Sequence, residues 1–256
     1  MKNLIRSTAT ALALALIVAT GALAKPEAVQ VGNLVLTHDG AVSPTKLPRH
    51  RQAPIRAWIS ASVATKDGSH VPAVREAVID VDNDVRVDAQ GLPVCRLGQL
   101  RSRDSRAARK ACSAAIVGTG KARAEIEFPE QQPIMASSPL TIFNGGVKGK
   151  TTTLFIHAFI TVPVPAAVVT TVKITRIHRG PYGLEVVAKI PPISGGAGSL
   201  TDAKLAIGRK FTYRGEKRSF LSASCPSGRH LIQGRVDFVD GTVVDLARVL
   251  PCTTSG

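Results

Sequence analysis

Four closely spaced aspartates, Asp80, Asp82, Asp84 and Asp88, set out carboxylates much as a calcium-binding loop does. The match fails in detail. The sixth position of such a loop needs a flexible glycine and holds Val85, the seventh-position carbonyl falls at Arg86, and Gly91 stands where the bidentate carboxylate belongs. A hairpin accounts for the run more simply: Val78 and Val81 end one strand, Asp82-Asn83-Asp84 turns, and Val85 and Val87 open the next. The six histidines (His38, His50, His70, His157, His178 and His230) are scattered, and none falls in an H-x-H or H-E-x-x-H pattern. No metal site and no cofactor is expected from this spacing. His157 alternates with Phe155 and Phe159 on one strand face, which fits a hydrogen-bonded core histidine better than a catalytic base.

Nucleophile chemistry is equally hard to place. There is no Gly-x-Ser-x-Gly elbow, and Ser194-Gly195-Gly196-Ala197-Gly198-Ser199 lacks both the lysine and the helix of a phosphate cradle. Dispersed catalytic residues leave no spacing signature, so an exported hydrolase stands as the alternative reading.

Cationic chemistry is better marked. Arg96, Arg101, Arg103, Arg106, Arg109 and Lys110 form the densest basic stretch, with Lys121 and Arg123 following and a second run over Arg214-Gly215-Glu216-Lys217-Arg218. Such a patch suits phosphate or carboxylate groups. One Trp and two Tyr in the whole chain leave little to stack on bases or sugar rings, so specific nucleic-acid recognition is not expected. The bland alternative is a solvated helix face.

The residues that would have to position this chemistry begin with an address. Lys2 and Arg6 precede an Ala/Leu run from Ala9 to Ala19, and Ala22-Leu23-Ala24 has the small-x-small form that a signal peptidase reads. Cleavage after Ala24 is expected, leaving 232 residues with 31 basic and 18 acidic side chains, a net charge of +13. The rival, an uncleaved anchor, needs about 20 strongly apolar residues, and no later segment is long and apolar enough to span a bilayer. In an exported chain, Cys95, Cys112, Cys225 and Cys252 read first as two disulfides. Of the three pairings, Cys95 with Cys112 and Cys225 with Cys252 closes modest loops, each contributing about 3 kcal/mol by restricting the unfolded chain.

Residues 25–53 read as one strand, Ala28 to Thr37, followed by a polar, proline-containing surface connector through Pro54. From Ile55 onward short alternating runs recur to Leu250, separated by Gly- and Pro-rich turns. Asp104 to Ala114 differs, being rich in Ala and Arg with an acid placed to cap its start, and it predicts a short helix with Ala107, Ala108, Ala111 and Cys112 inward. The expected fold is all-β: an antiparallel β-sandwich over residues 54–256 with one short helical insertion.

Gly91-Leu92-Pro93-Val94-Cys95, Phe143-Asn144-Gly145-Gly146-Val147-Lys148-Gly149, Thr161-Val162-Pro163-Val164-Pro165-Ala166 and the closing Pro251-Cys252 carry a resemblance. Together they resemble a set of uncharacterised exported β-rich proteins of high-GC actinobacteria. The resemblance covers most of residues 54–252 and implies a β-rich extracellular domain, without any catalytic or binding residue. The function expected is a secreted or envelope-associated, non-enzymatic domain that contacts anionic cell-wall or extracellular polymers through its basic surface. A third possibility, a metal-responsive adhesion module built on Asp80 to Asp88, predicts a thermal shift on adding calcium.

Overall fold

The computed structural model describes residues 26–255, so the signal sequence and its cleavage point lie outside the described residues. The first strands are β1 (Glu27–Val31), β2 (Leu34–Ser43), β3 (Lys46–Pro48), β4 (Ala53–Pro54), β5 (Arg56–Thr65), β6 (Val74–Asp82) and β7 (Val85–Val87). The helix α1 (Ser105–Ala111) follows, then β8 (Ile116–Ile126), β9 (Ile134–Lys148), β10 (Thr151–Ile160), β11 (Ala166–Arg179) and β12 (Tyr182–Lys189). The remainder is β13 (Gly198–Ile207), β14 (Lys210–Tyr213), β15 (Glu216–Ser219), β16 (Leu221–Ala223), β17 (Arg229–Phe238), β18 (Val243–Pro251) and β19 (Thr253–Ser255). The fold is all-β, as the alternating runs indicate. No helix among the described residues is long and apolar enough to cross a membrane.

One antiparallel sheet of twelve strands dominates, in the order β1-β2-β5-β13-β8-β9-β10-β11-β12-β6-β17-β18. Two small ladders, β4-β16-β7 and β3-β19, supply a second set of apolar side chains. From them and their flanks, Leu47, Ile55, Val87, Phe220, Leu221, Cys225 and Cys252 pack with Ile142, Leu154, Val172, Ile174 and Leu184 of the large sheet. The connector expected to be a surface loop is therefore partly interior: Leu47 is completely buried, because its neighbours Lys46 and Pro48 are held by the parallel pairing with β19.

Two further departures from the expected pattern have physical causes. The run Ala28 to Thr37 is broken by a turn at Gly32-Asn33, where Gly32 takes a positive φ of 57° and the chain doubles back to pair Val31 with Leu34. One of the recurring runs, Pro139 to Phe143, reads from the sequence as a short strand, and the strand found there extends from Ile134 to Lys148 and runs straight through Pro139. Proline is tolerated there because the ladder with β10 has ended at the Thr141–His157 pair, and the Ser138 hydroxyl accepts the Phe159 N–H at 2.8 Å instead.

The two ends of the sheet meet without a backbone ladder among the described residues. β18 lies against β1 and β2, and a second apolar cluster fills the seam with Leu34 and Leu36 from one end and Phe238 and Val244 from the other. Across it Arg248 of β18, only 6% exposed, pairs with Asp39 of β2 and with Glu27 of β1 at 3.6 Å.

Candidate functional site

The stretch from Cys95 to Cys112 folds as a stapled lobe on β9 and β10. Cys95 is bonded to Cys112, and Cys225 to Cys252, the near-neighbour pairing expected. The Cys95 N–H donates to the Asn144 carbonyl at 2.8 Å, while the Asn144 amide donates to the carbonyls of Leu92 and Pro93. Leu100, Ala108 and Ala115 pack with Phe143 and Phe155 beneath the lobe. The helix begins where its cap predicts: the Asp104 carboxylate accepts the Ala107 N–H at 2.8 Å, a bond that holds this carboxyl below its ordinary range. Ala108 and Cys112 face inward, but Ala111 is exposed, since a seven-residue helix turns only a narrow stripe toward the sheet.

His157 fastens the same lobe from below. Its ring is completely buried and shares a hydrogen bond of 2.9 Å with the Arg103 carbonyl. Burial pushes the imidazole below its usual value, with the Arg103 carbonyl and the Asp104 charge opposing. The core histidine expected from the alternation with Phe155 thus positions the backbone in the middle of the arginine stretch.

All six cations of that stretch are exposed. Arg96 precedes a 3₁₀ turn at Leu97–Gln99, and Ser102, at a φ of 60°, turns the chain between Arg101 and Arg103. Arg106, Arg109 and Lys110 stand three and four apart on α1 and share its outer side. None of the six forms an ion pair among the described residues, and the one acid in their midst, Asp104, is engaged by the helix. Arg101 also borders a cleft of about 270 Å³ whose other walls are Leu97, Ala167, Val168, Val169, Thr171, Pro191 and Pro192. A larger shallow cleft of about 600 Å³ lies on the β5-β13-β8-β9 face, where Lys121, Arg123 and Lys204 meet Ser60, Ser137 and Ser138. Lys204 sits 5.2 Å over the Trp58 ring, a pairing of neighbouring strands that only the β5–β13 register reveals.

Two side-chain clusters join residues remote in sequence, and only the second holds carboxylates that the spacing singled out. In the first, Ser199 and Glu125 lie opposite each other on β13 and β8. His70, from the loop after β5, sits against both: Nε2 is 3.0 Å from the Ser199 hydroxyl, while Nδ1 is 2.7 Å from Glu125 and 3.2 Å from Glu127. This is the order of groups in a serine hydrolase, but Ser199 is only 1% exposed. In the second, Asp82 and Asp84 meet His230 of β17; the turn expected at Asp82-Asn83-Asp84 forms but the hairpin does not, because β6 pairs with β12 and β17 of the large sheet while β7 leaves it to pair with β16. Burial raises the Asp84 carboxyl above its ordinary value, the Asp82 charge adds to this, and His230 and the Ser224 hydroxyl oppose it. Burial also lowers the His230 imidazole against the pull of Asp82 and Asp84. Asp80, the next inward carboxylate along β6, accepts from Arg179 and Gln233 at Oδ2, while its Oδ1 is buried without a partner among the described residues.

No protein-family model, curated protein or solved structure matches the chain.

Proposed function

We propose that the protein is an extracellular or envelope-associated, non-enzymatic domain whose disulfide-stapled lobe docks on anionic polymers. The fold is read as the sandwich suggested by the strand pattern, with the inner ladders packed against a curled sheet. The two disulfides fit an oxidising setting. The observation that carries the reading is the lobe itself: six exposed cations, free of ion pairs among the described residues, on a segment held by Cys95–Cys112, Asn144 and His157. Holding cations apart from internal carboxylates leaves their charge available to a polyanion, and a rigid base lowers the ordering cost of binding.

The test is retention of the oxidised protein on purified cell wall across a salt gradient. Binding is expected to weaken steeply with salt. The triple substitution Arg106→Gln, Arg109→Gln and Lys110→Gln is expected to cost on the order of tenfold in affinity and to flatten the salt dependence, as counterion release requires. Binding that ignores salt, or that is indifferent to the triple substitution, would remove the proposal.

The Ser199–His70–Glu125 chain is the one specific observation favouring an exported hydrolase. Its serine is covered, so a fluorophosphonate probe is expected to leave the folded protein unlabelled. Stoichiometric labelling that disappears in both Ser199→Ala and His70→Ala would establish the hydrolase instead.

A further inference from the structure

The β6–β7 turn, the start of β17 and the segment preceding the Cys225–Cys252 staple converge on a buried point. One ligating atom from each of Asp82, Asp84 and His230 lies within 4.8 Å of the others. Asp82 is buried, Asp84 is half-buried, and His230 is 1% exposed. Although the His230 ring is shut off from water, neither of its nitrogens has a hydrogen-bond partner among the described residues. A buried polar group left unsatisfied costs about 1–3 kcal/mol, and an imidazole normally satisfies at least one nitrogen. We infer that Asp82, Asp84 and His230 bind a divalent first-row transition ion of borderline softness, with Zn²⁺ the best match.

The surroundings support this in three ways. Asp82 is already oriented, since its two carboxylate oxygens accept the N–H groups of Asp84 and Leu231, each at 2.9 Å. Each oxygen retains a second lone pair for an ion, so these bonds fix the ligand without consuming it. The turn is braced as well: the Asp84 carbonyl accepts from Ser224 N–H at 3.1 Å and from the Gln52 amide at 3.2 Å. The Gln52 Oε1, buried and without a partner, is a neutral oxygen next to the same turn. Charge completes the case, because two carboxylates brought together away from water need a dication more than they need each other.

Ligand chemistry selects the ion. Calcium takes roughly 6–8 oxygens and makes no use of imidazole, whereas two carboxylates and one histidine form a zinc- or manganese-type set. Thiolates do not compete, since all four cysteines are in disulfides. Neighbouring ligands about 2.1 Å from a tetrahedral zinc stand about 3.4 Å apart, so a cluster whose ligating atoms lie within 4.8 Å of one another closes on the ion by at most about 1.4 Å. The His70 cluster is the weaker candidate because both its nitrogens are already engaged by Glu125, Glu127 and Ser199.

The inference does not depend on the polyanion reading and is tested separately. The oxidised chain, stripped of metal by a chelator that leaves disulfides intact, is dialysed against ZnCl₂ and assayed for bound metal, with CoCl₂ as the spectroscopic substitute and CaCl₂ as the contrast. One zinc per chain is expected, together with a visible cobalt band and a raised melting temperature, while calcium produces none of these. Asp84→Asn and His230→Gln are each expected to weaken zinc binding by about a hundredfold or more, whereas His70→Gln leaves it unchanged. If His230→Gln does not fold, the half-exposed Asp84→Asn decides through the cobalt band. Failure to bind zinc stoichiometrically, or binding lost in His70→Gln and kept in Asp84→Asn, would overturn the site.

Discussion

Replacing Arg248 with methionine is expected to destabilise the protein by about 3–5 kcal/mol, the usual cost of stranding the partner of a buried ion pair. The arginine is 6% exposed and pairs with Asp39 and Glu27 across the seam between the two ends of the sheet. Methionine fills much of the same space, so what is lost is charge compensation rather than volume. Asp39, largely screened from water, then lacks its counter-charge, while half-exposed Glu27 loses little. Urea unfolding at neutral pH measures the loss. Adding Asp39→Asn to Arg248→Met is expected to recover part of it, as coupled neighbours do. A loss under about 1 kcal/mol in the single variant would mean that the apolar seam of Leu34, Leu36, Phe238 and Val244 holds the ends together alone.

The second large effect concerns Cys225–Cys252. Substituting both cysteines with serine is expected to cost about 3–4 kcal/mol, lowering the melting temperature by roughly 10 °C. The bond closes a loop of sequence separation 27, and both sulfurs are buried in the principal core beside Leu47 and Phe220. Serine therefore adds buried hydroxyls to the lost cross-link. The Cys95→Ser, Cys112→Ser pair closes a shorter loop of separation 17 and is expected to cost less. Calorimetry on the two double variants gives the order; the reverse order would show that the arginine lobe, rather than the core, is the part most dependent on its staple.

Much of the fold was legible because its signals are local. Ala-rich Ser105–Ala111 with Asp104 before it could hardly be anything but a capped helix, and Asn83 flanked by aspartates between valine runs could hardly avoid turning. Loop length favoured the observed disulfide pairing without excluding the other two. Local signals also misled where tertiary context overrode them. Leu47 lay in a stretch of charges and prolines and is buried because β19 arrives from the far end of the chain to pair with its strand. Pro139 lies inside β9 rather than at its start, because the ladder with β10 ends at Thr141–His157 although β10 itself runs on to Ile160.

The clusters were harder still. His70 and Ser199 meet because a loop folds over the β8–β13 pairing, and His230 reaches Asp82 because β17 is laid beside β6. Both depend on register between strands remote in sequence, and no spacing rule in a single chain contains that information. The arginine lobe was visible because its cations all fall between positions 96 and 110. What the structure adds is its mounting, above all the His157 bond to the Arg103 carbonyl.

The strand order also dictates a timetable. β5 has β2 and β13 as neighbours and β6 has β12 and β17, so strands made early keep open edges until much later segments arrive. Such non-local pairing is slow and leaves apolar surface open to aggregation while it waits. The strand that brings Arg248 to the seam is the last of the large sheet to be synthesised. Until nearly the whole chain is available to fold, Asp39 lacks the Arg248 counter-charge, and the two ends of the sheet cannot be joined.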